Sequence, residues 1–234
     1  MRISFNQPAF IPWGGVFARL MHSDKMVLLD DTLLSTGFTY VNRNRIKGPA
    51  GEVWISVPVK KKGRGRQKIK DLELYEKEWW AKDFLLTLRH FYVKSIYFHP
   101  IYNRIKEAVE TQERSFCGMV LKLLLIIKEE FGIEQDFLLQ SELGILGSGT
   151  DLLVSLAKEL GATEAILPDF SDKAVECGRF AREQIDVKFL RFDPRPYPQF
   201  WGTFVPRLSA LDLLLCSGKN GKRILEKGSF ISAR

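Results

Sequence analysis

The start of the chain carries a strand–helix–strand pattern, which constrains the fold more than any other feature. Residues 2–6 alternate polar and apolar side chains and predict a strand, and residues 13–23 have apolar side chains on one helical face. The apolar run 26–29 predicts a second, buried strand. A βαβ unit of this kind requires parallel strands joined by a right-handed crossover. The sequence therefore predicts an α/β fold with a mainly parallel open sheet, similar to nucleotide-binding folds.

The rest of the chain predicts more elements of the same architecture. Further strands are predicted at 53–59, 72–74, 137–140, 165–167 and 187–192. Helices are predicted at 79–98, 101–110, 116–131, 150–160 and 207–216, with a loop at 32–51 and a glycine-rich turn at 141–150. These elements predict three parts: an N-terminal βαβ part of an α/β domain at 1–75, a helical insertion at 76–135, and a C-terminal part at 136–234 that completes the domain.

Composition predicts a soluble globular protein of the cytoplasm. Hydrophobic residues make up 45 % of the chain and charged residues 27 %, which excludes a wholly disordered protein. No segment approaches the roughly 18 apolar residues that a membrane-spanning helix needs, and the first residues lack the apolar region of a secretion signal. Three widely spaced cysteines without a CxxC pair predict neither a disulfide framework nor a zinc site.

The net charge of +7 comes from one segment, residues 60–70. That segment holds seven of the 35 basic residues and no acidic one, which leaves 28 basic residues against 28 acidic ones elsewhere. A nucleic-acid interface requires a broad basic surface, so nucleic-acid binding through 60–70 is the least favoured function. Two interpretations of the segment stay open: a solvated loop, or a lid that closes over an anionic ligand.

Two predicted strands end in polar residues that should meet at one edge of the sheet. Gln7 begins the turn that runs through Trp13 to Gly15, and Asp30 and Asp31 follow the second strand. Ligands of open parallel sheets bind at the carboxyl ends of strands. The turn lacks the GxGxxG, GxxxxGK and HxGH motifs, so it predicts a positioning role without naming a reaction. Asp30 is predicted to act as a base or as a Mg²⁺ ligand, and capping of the next turn is the equal alternative.

The predicted loop at 32–51 contains a polar group of candidate ligands: Asn42, Arg43, Asn44, Arg45 and Lys47. In an extended segment the three basic residues share one face, and arginine binds carboxylate and phosphate with two parallel hydrogen bonds. Together with Lys60, which follows the predicted third strand, they predict an anion site. A solvated loop is the alternative interpretation.

The remaining candidates carry weaker signals. Ser141 opens the glycine-rich turn between a predicted strand and a helix, where a hydroxyl and backbone amides suit phosphate oxygens. A plain turn is the equal alternative. The histidines, His22, His90 and His99, lack metal-ligand spacing and are predicted to be structural, so no metal site with histidine ligands is predicted.

Several motifs occur in one order along nearly the whole chain. They are Gln7-Pro8-x-Phe10-x-Pro12-Trp13-x-Gly15-x-Phe17, Leu29-Asp30-Asp31, Asn42-Arg43-Asn44-Arg45-Ile46, Pro58-Val59, Tyr197-Pro198-Gln199 and Phe204-x-Pro206-x-Leu208-Ser209-x-Leu211-Asp212-Leu213-Leu214. In this respect the chain resembles the WbqC-like protein family, which is widespread in bacteria. The resemblance implies a link to surface-polysaccharide biosynthesis of the O-antigen type, and it does not name a reaction.

The favoured hypothesis is a transferase that acts on an anionic, nucleotide- or acyl-linked small molecule. Arg43, Arg45 and Lys60 would bind the negative charge, Gln7 and the following turn would position the substrate, and Asp30 would act on it. A non-catalytic binding module of a polysaccharide-assembly complex is the alternative. The sequence leaves open a requirement for Mg²⁺ and the formation of a homodimer.

Overall fold

A six-stranded sheet forms the centre of the computed structural model, which describes residues 1–35, 37, 39–75, 77–110 and 114–233. Its strands are β1 Arg2–Asn6, β2 Lys25–Leu28, β5 Asp136–Leu139, β6 Glu164–Pro168, β7 Asp186–Phe192 and β8 Ser229–Ala233. The order across the sheet is β5-β2-β1-β6-β7-β8, and all neighbours are parallel except β7 and β8. The prediction of an α/β fold with a mainly parallel sheet is confirmed.

The strand order creates a crevice beside the central strand β1. From β1 the chain continues to β2 and β5 on one side, whereas β6, β7 and β8 lie on the other side. Counted in chain order within this sheet, the strands run 3-2-1-4-5-6, as in doubly wound dinucleotide-binding folds. The loops that follow β1 and β6 therefore leave in opposite directions, and their separation opens a topological switch point at the carboxyl ends of these strands.

Helices cover both faces of the sheet. They are α1 Gly14–His22, α2 Lys77–Tyr92, α3 Phe98–Glu110, α4 Phe116–Glu130, α5 Gln140–Leu143, α6 Gly149–Glu159, α7 Cys177–Arg182, α8 Ala210–Ser217 and α9 Gly221–Lys227. One core contains α1, the segment α2–α4 and α8, and a smaller core on the opposite face contains residues of α6 and α7. Strand β1 contributes Ile3 and Phe5 to the smaller core, as its alternation predicts.

A separate antiparallel hairpin occupies the end of the predicted loop at 32–51 and overlaps the predicted third strand at 53–59. Its strands are β3 Arg43–Gly48 and β4 Gly51–Ser56, which pair with each other and not with the central sheet. The loop prediction was wrong because two of the buried residues of β3, Asn44 and Lys47, are polar. Their side chains hide the alternation of apolar and polar residues that normally identifies a half-buried strand.

Other element boundaries also differ from the predictions. The helix predicted at 79–98 ends at Tyr92, and Pro100 lies in the first turn of α3, where a missing N–H is tolerated. Segment 72–74 forms isolated bridges, and α7, α9 and β8 were not predicted. Parts of some predictions lie outside the described residues. These are residues 36 and 38 of the predicted loop, residues 76 and 111–113 of the predicted helical insertion, and residue 234 of the predicted C-terminal part. In the described part of the chain, no helix has the length and apolar character needed to cross a membrane.

Candidate functional site

The turn after β1 holds a buried residue in a strained conformation. Ile11 has a φ of +37° and is fully buried, although a β-branched side chain rarely adopts positive φ. Its carbonyl oxygen accepts two hydrogen bonds, from Asn44 Nδ2 at 2.9 Å and from Ser209 Oγ at 2.6 Å. Strain of this kind persists only where the surroundings impose it, and it is concentrated at functional sites.

Two distant segments, the hairpin with the residues before it and the start of α8, meet at this turn through backbone hydrogen bonds. The N–H of Phe10 donates to the carbonyl of Val41 at 2.7 Å, and the N–H of Ala210 donates to the carbonyl of Pro12 at 2.8 Å. In addition, Ser209 donates its N–H to the carbonyl of Arg45 at 2.8 Å. The turn, the hairpin and the start of α8 therefore form one unit at the carboxyl end of β1.

An open cavity of about 560 Å³ lies beside this unit, at the switch point between β1 and β6. Its polar lining residues are Asn6, Gln7, Thr39, Asn44, Arg45 and Arg207. Its apolar lining residues are Ala9, Pro12, Trp13, Val16, Tyr40, Val41 and Phe170. No aspartate or glutamate is among the described residues that line it, so the charge of the lining is positive.

Two arginines supply that charge. Arg45 lies on β3, where its Nη1 contacts Glu52 Oε2 at 2.7 Å and its Nη2 donates to the carbonyl of Arg207 at 3.4 Å. Arg45 Nε is buried without a hydrogen-bond partner in the described part of the chain. Arg207 is exposed and has a φ of +58°, so two non-glycine residues with positive φ, Ile11 and Arg207, flank one cavity.

Trp13 forms an apolar wall of the cavity and depends on Gly15. The Trp13 ring packs edge to face on Phe192, with 5.6 Å between ring centroids. A Cβ atom on Gly15 would lie 2.4 Å from the Trp13 ring, so this position must be glycine for the indole to fold back on the helix. Gly15 itself does not line the cavity, and its role is to permit the position of Trp13.

A buried cation supports the polar end of β1. Arg19, on α1, is 2 % exposed, and its Nη2 donates to Asn6 Oδ1 at 2.6 Å and to the carbonyl of Phe5 at 3.3 Å. Burial lowers the pKa of Arg19 to about 10, and the charge of Asp169 opposes this shift. Arg19 therefore stays charged at neutral pH and fixes the orientation of Asn6, which lines the cavity. The Gln7 amide is also held, because its Nε2 donates to Thr32 Oγ1 at 3.0 Å.

Sequence reasoning missed a buried polar network around Asp212. Its carboxylate accepts hydrogen bonds from Tyr92 Oη at 2.5 Å, from Tyr197 Oη at 2.7 Å and from Gln199 Nε2 at 2.9 Å. Burial raises the pKa of Asp212, while these hydrogen bonds act in the opposite direction. Burial also raises the pKa of both tyrosines, and the nearby Asp212 charge adds to that increase.

This network fixes the segment that leads to Arg207. Gln199 binds Val205 in both directions: its Oε1 accepts from the Val205 N–H at 2.8 Å, and its Nε2 donates to the Val205 carbonyl at 3.0 Å. Lys47, which is 1 % exposed, donates through Nζ to the carbonyl of Thr203. These hydrogen bonds fix the irregular segment 199–205, so Arg207 is held at the mouth of the cavity.

The similarity to known proteins extends over all of these segments. The model of the WbqC-like protein family matches residues 7–224. The chain belongs to the WbqC-like protein family. It is also 31 % identical over 219 residues to the uncharacterized protein Rv1507c of Mycobacterium tuberculosis, which covers 93 % of this chain and 94 % of that relative. The resemblance inferred from the motifs is thus confirmed.

In this WbqC-like protein, Asp30 and Ser141 lie together but not at the cavity. The Asp30 carboxylate accepts hydrogen bonds from the Ser141 N–H at 2.9 Å and from Ser141 Oγ at 2.6 Å. This pair joins the end of β2 to the first turn of α5. Neither residue is among those that line the cavity. A catalytic role for Asp30 and a substrate-binding role for Ser141 stay predictions.

The side chain of Asp31 contacts the basic segment 60–70, unlike the side chain of the neighbouring Asp30. Its carboxylate contacts Lys68 Nζ at 2.8 Å and Lys70 Nζ at 2.9 Å. Burial alone would raise the pKa of Asp31, but hydrogen bonds and charges from the two lysines outweigh it and lower the pKa. Adjacent side chains along a strand point in opposite directions, which agrees with these contacts.

The remaining predicted ligands also have structural partners. Asn42 donates to the carbonyl of Val57 at 2.8 Å, and Arg43 begins β3 without lining the cavity. Lys60 Nζ contacts Glu73 at 3.1 Å, and Arg64 contacts the same carboxylate at 2.8 Å. Of the predicted set, the cavity therefore brings together Gln7, Trp13, Asn44 and Arg45.

Proposed function

We propose that this WbqC-like protein is a transferase of surface-polysaccharide biosynthesis that binds an anionic, nucleotide- or acyl-linked substrate in the switch-point cavity. The observation that carries the proposal is the presence of Arg45 and Arg207 in one cavity that is flanked by two strained residues. Each residue with a strained backbone costs roughly 1–3 kcal/mol, a cost that proteins retain where function requires the geometry. The position at the carboxyl ends of β1 and β6 is where such sheets bind ligands.

The electrostatics of the lining favour an anion. Arg45 and Arg207 line the cavity, and no carboxylate of the described chain lines it. The buried charge of Arg19 lies behind Asn6 and adds to the positive potential at the end of β1. In a partly enclosed site such charges act through a lower effective dielectric constant than in water, which strengthens their attraction for an anion.

Transfer chemistry in this cavity would rely on orientation and on stabilisation of negative charge. The amides of Gln7 and Asn44 and the indole of Trp13 would orient the substrate. Arg45 and Arg207 would stabilise the charge that develops on a leaving phosphate or carbonyl oxygen. In this proposal Asp30 acts as a base only if its hydrogen bonds with Ser141 open and its carboxylate turns to the cavity.

The proposal is tested by calorimetric titration with nucleotide sugars and acyl-coenzyme A, followed by assays for release of the carrier. The wild type should bind one of these classes, and Arg45→Gln should weaken binding at least tenfold. Lys60→Gln is a matched control, because Lys60 also pairs with a glutamate but lies outside the cavity. Equal binding by wild type and Arg45→Gln would refute the assignment of the site. Loss of turnover in Asp30→Asn but not in Ser141→Ala would support a base at Asp30.

A second candidate function is a non-catalytic binding module, which the lack of a carboxylate among the described lining residues favours. Such a module would bind the same anionic ligands through Arg45 and Arg207. It would release no product in the presence of any acceptor. Binding that depends on Arg45 without turnover of any tested substrate would therefore select this second function.

A further inference from the structure

We infer that the cavity recognises the nucleoside diphosphate part of its substrate, with the base against the aromatic rim and the diphosphate at the two arginines. This inference rests on the proposed function and specifies the substrate class of the same site. It names the chemistry that nucleotide sugars and acyl-coenzyme A share, because both carry a nucleoside diphosphate.

The size of the cavity suits such a ligand. Small-molecule sites usually occupy roughly 300–1,000 Å³ and combine apolar walls with a few polar groups. The cavity has about 560 Å³, and its lining has both kinds of surface. A nucleoside diphosphate has the same division, with a flat ring at one end and a compact double negative charge at the other.

The aromatic rim exposes ring surface beside the cavity, although Tyr40 also packs against Trp54 with 5.7 Å between ring centroids. Phe170 is 71 % exposed and Tyr40 is 47 % exposed, and both line the cavity. Phe170 lies in a single 3-10 turn, Asp169–Ser171, directly after β6, and so on the far side of the switch point from the turn after β1. Exposed rings beside a cavity offer faces for base stacking, which tolerates different bases because every base has a flat face.

The arginines offer donors that a diphosphate would use. Arg45 Nη1 pairs with Glu52, whose side chain is 43 % exposed to water, so a phosphate can replace this carboxylate. Arg207 forms no ion pair with a described residue. Guanidinium groups bind phosphate with two parallel hydrogen bonds, and two of them match the two phosphates of the ligand.

Isothermal titration calorimetry with ADP, UDP and inorganic pyrophosphate tests the inference on the full chain. ADP or UDP should bind more tightly than pyrophosphate. Phe170→Ala should weaken nucleotide binding about tenfold or more and leave pyrophosphate binding unchanged, since stacking contributes only to the base. Phe170→Trp should restore nucleotide binding. Arg207→Ala should weaken binding of all three ligands, whereas Arg66→Ala, which removes an exposed arginine outside the cavity, should not.

The outcomes separate this inference from the proposed function. If pyrophosphate binds as tightly as both nucleotides and Phe170→Ala changes nothing, the anion site of the proposed function stands and the nucleoside assignment is wrong. If none of the three ligands binds, both are wrong. Two further titrations identify the source of the nucleotide. If coenzyme A binds more tightly than ADP, the substrate is an acyl donor. If a UDP-sugar binds more tightly than UDP, the substrate is a glycosyl donor. Phe170 is exposed, so far-UV circular dichroism should show a folded variant.

Discussion

The side-chain amide of Asn44 donates a hydrogen bond of 2.9 Å to the carbonyl of Ile11. Asn44 lies on a strand 33 positions away in the chain, and this hydrogen bond holds Ile11 in its strained conformation. Asn44 also lines the cavity, and its Oδ1 accepts from the N–H of Arg45 at 2.9 Å. One amide therefore links the conformation of the turn to the arginine proposed to bind substrate. Stability and ligand binding should be coupled at this residue.

Asn44→Ala should lower both stability and affinity for anionic ligands. The variant leaves the buried Ile11 carbonyl with the Ser209 hydrogen bond alone, at an expected cost of about 1–3 kcal/mol in the free energy of unfolding. Urea denaturation measures the first effect and titration with ADP the second. Asn42→Ala is the control, because Asn42 also donates to a backbone carbonyl but lies outside the cavity. It should lose stability and keep affinity; equal loss of affinity in both variants would contradict the coupling.

The βαβ start of the fold was predictable because its signal is local. The strands and the helix at 2–28 differ from prediction by at most one residue at each end, since apolar periodicity alone determines them. Asp30 and Ser141 were both predicted at strand ends, and they are hydrogen-bonded to each other. The parallel topology is sufficient to bring these two positions to one edge of the sheet.

The rest of the site depends on contacts that no local pattern records. Tyr92 and Asp212 are 120 positions apart, so their hydrogen bond had no signal in either segment. Asp212 belongs to one of the family motifs, but the motif alone assigns it no role. Arg207 reaches the cavity through a positive φ, a conformation that its residue type does not favour. Phe170 follows β6 in a short turn, and its exposure depends on the loops around it.

Gly15→Ala should displace Trp13 and destabilise the protein. The new methyl group would lie 2.4 Å from the indole, so the ring must leave its position against Phe192. Overpacking of this kind costs about 1–3 kcal/mol, which thermal or urea unfolding measures, and near-UV circular dichroism should report the altered tryptophan. Gly178→Ala is the matched control, since a Cβ there meets no atom within 4 Å. A Gly15→Ala variant as stable as the control would contradict the close contact.

Glu73→Gln should loosen the basic segment 60–70. Hydrogen bonds from Arg64 and then Lys60 lower the pKa of Glu73 to about 2, so its ion pairs are complete at neutral pH. Their stabilising effect is present above the unfolded-state pKa of about 4.3 and is lost as the pH falls toward 2. At pH 7.5 trypsin should cleave the segment faster in Glu73→Gln than in the wild type. Glu107→Gln, an exposed change on α3, should leave the cleavage rate unaltered. Equal rates in all three proteins would show that Glu73 does not restrain the segment.

The Asp212 network should give the protein a pH-dependent loss of stability that Asp212→Asn removes. Because the pKa of Asp212 is raised in the folded state, the folded protein binds a proton that the unfolded chain has released. Stability must therefore fall as the pH rises from about 3.9, the unfolded value, to the raised folded value. Other carboxylates titrate in the same range, so the quantity to measure is the difference in free energy of unfolding between wild type and Asp212→Asn. The free energy of unfolding of the wild type, relative to that of Asp212→Asn, should decrease across this window and stay constant above it. Tyr92→Phe removes a hydrogen bond that lowers the pKa of Asp212, so it should extend the window to higher pH.

The prediction is contradicted if the difference in free energy of unfolding between wild type and Asp212→Asn is constant, or if it favours the wild type as the pH rises. Either result would show that Asp212 is ionised throughout and that its three hydrogen bonds outweigh its burial.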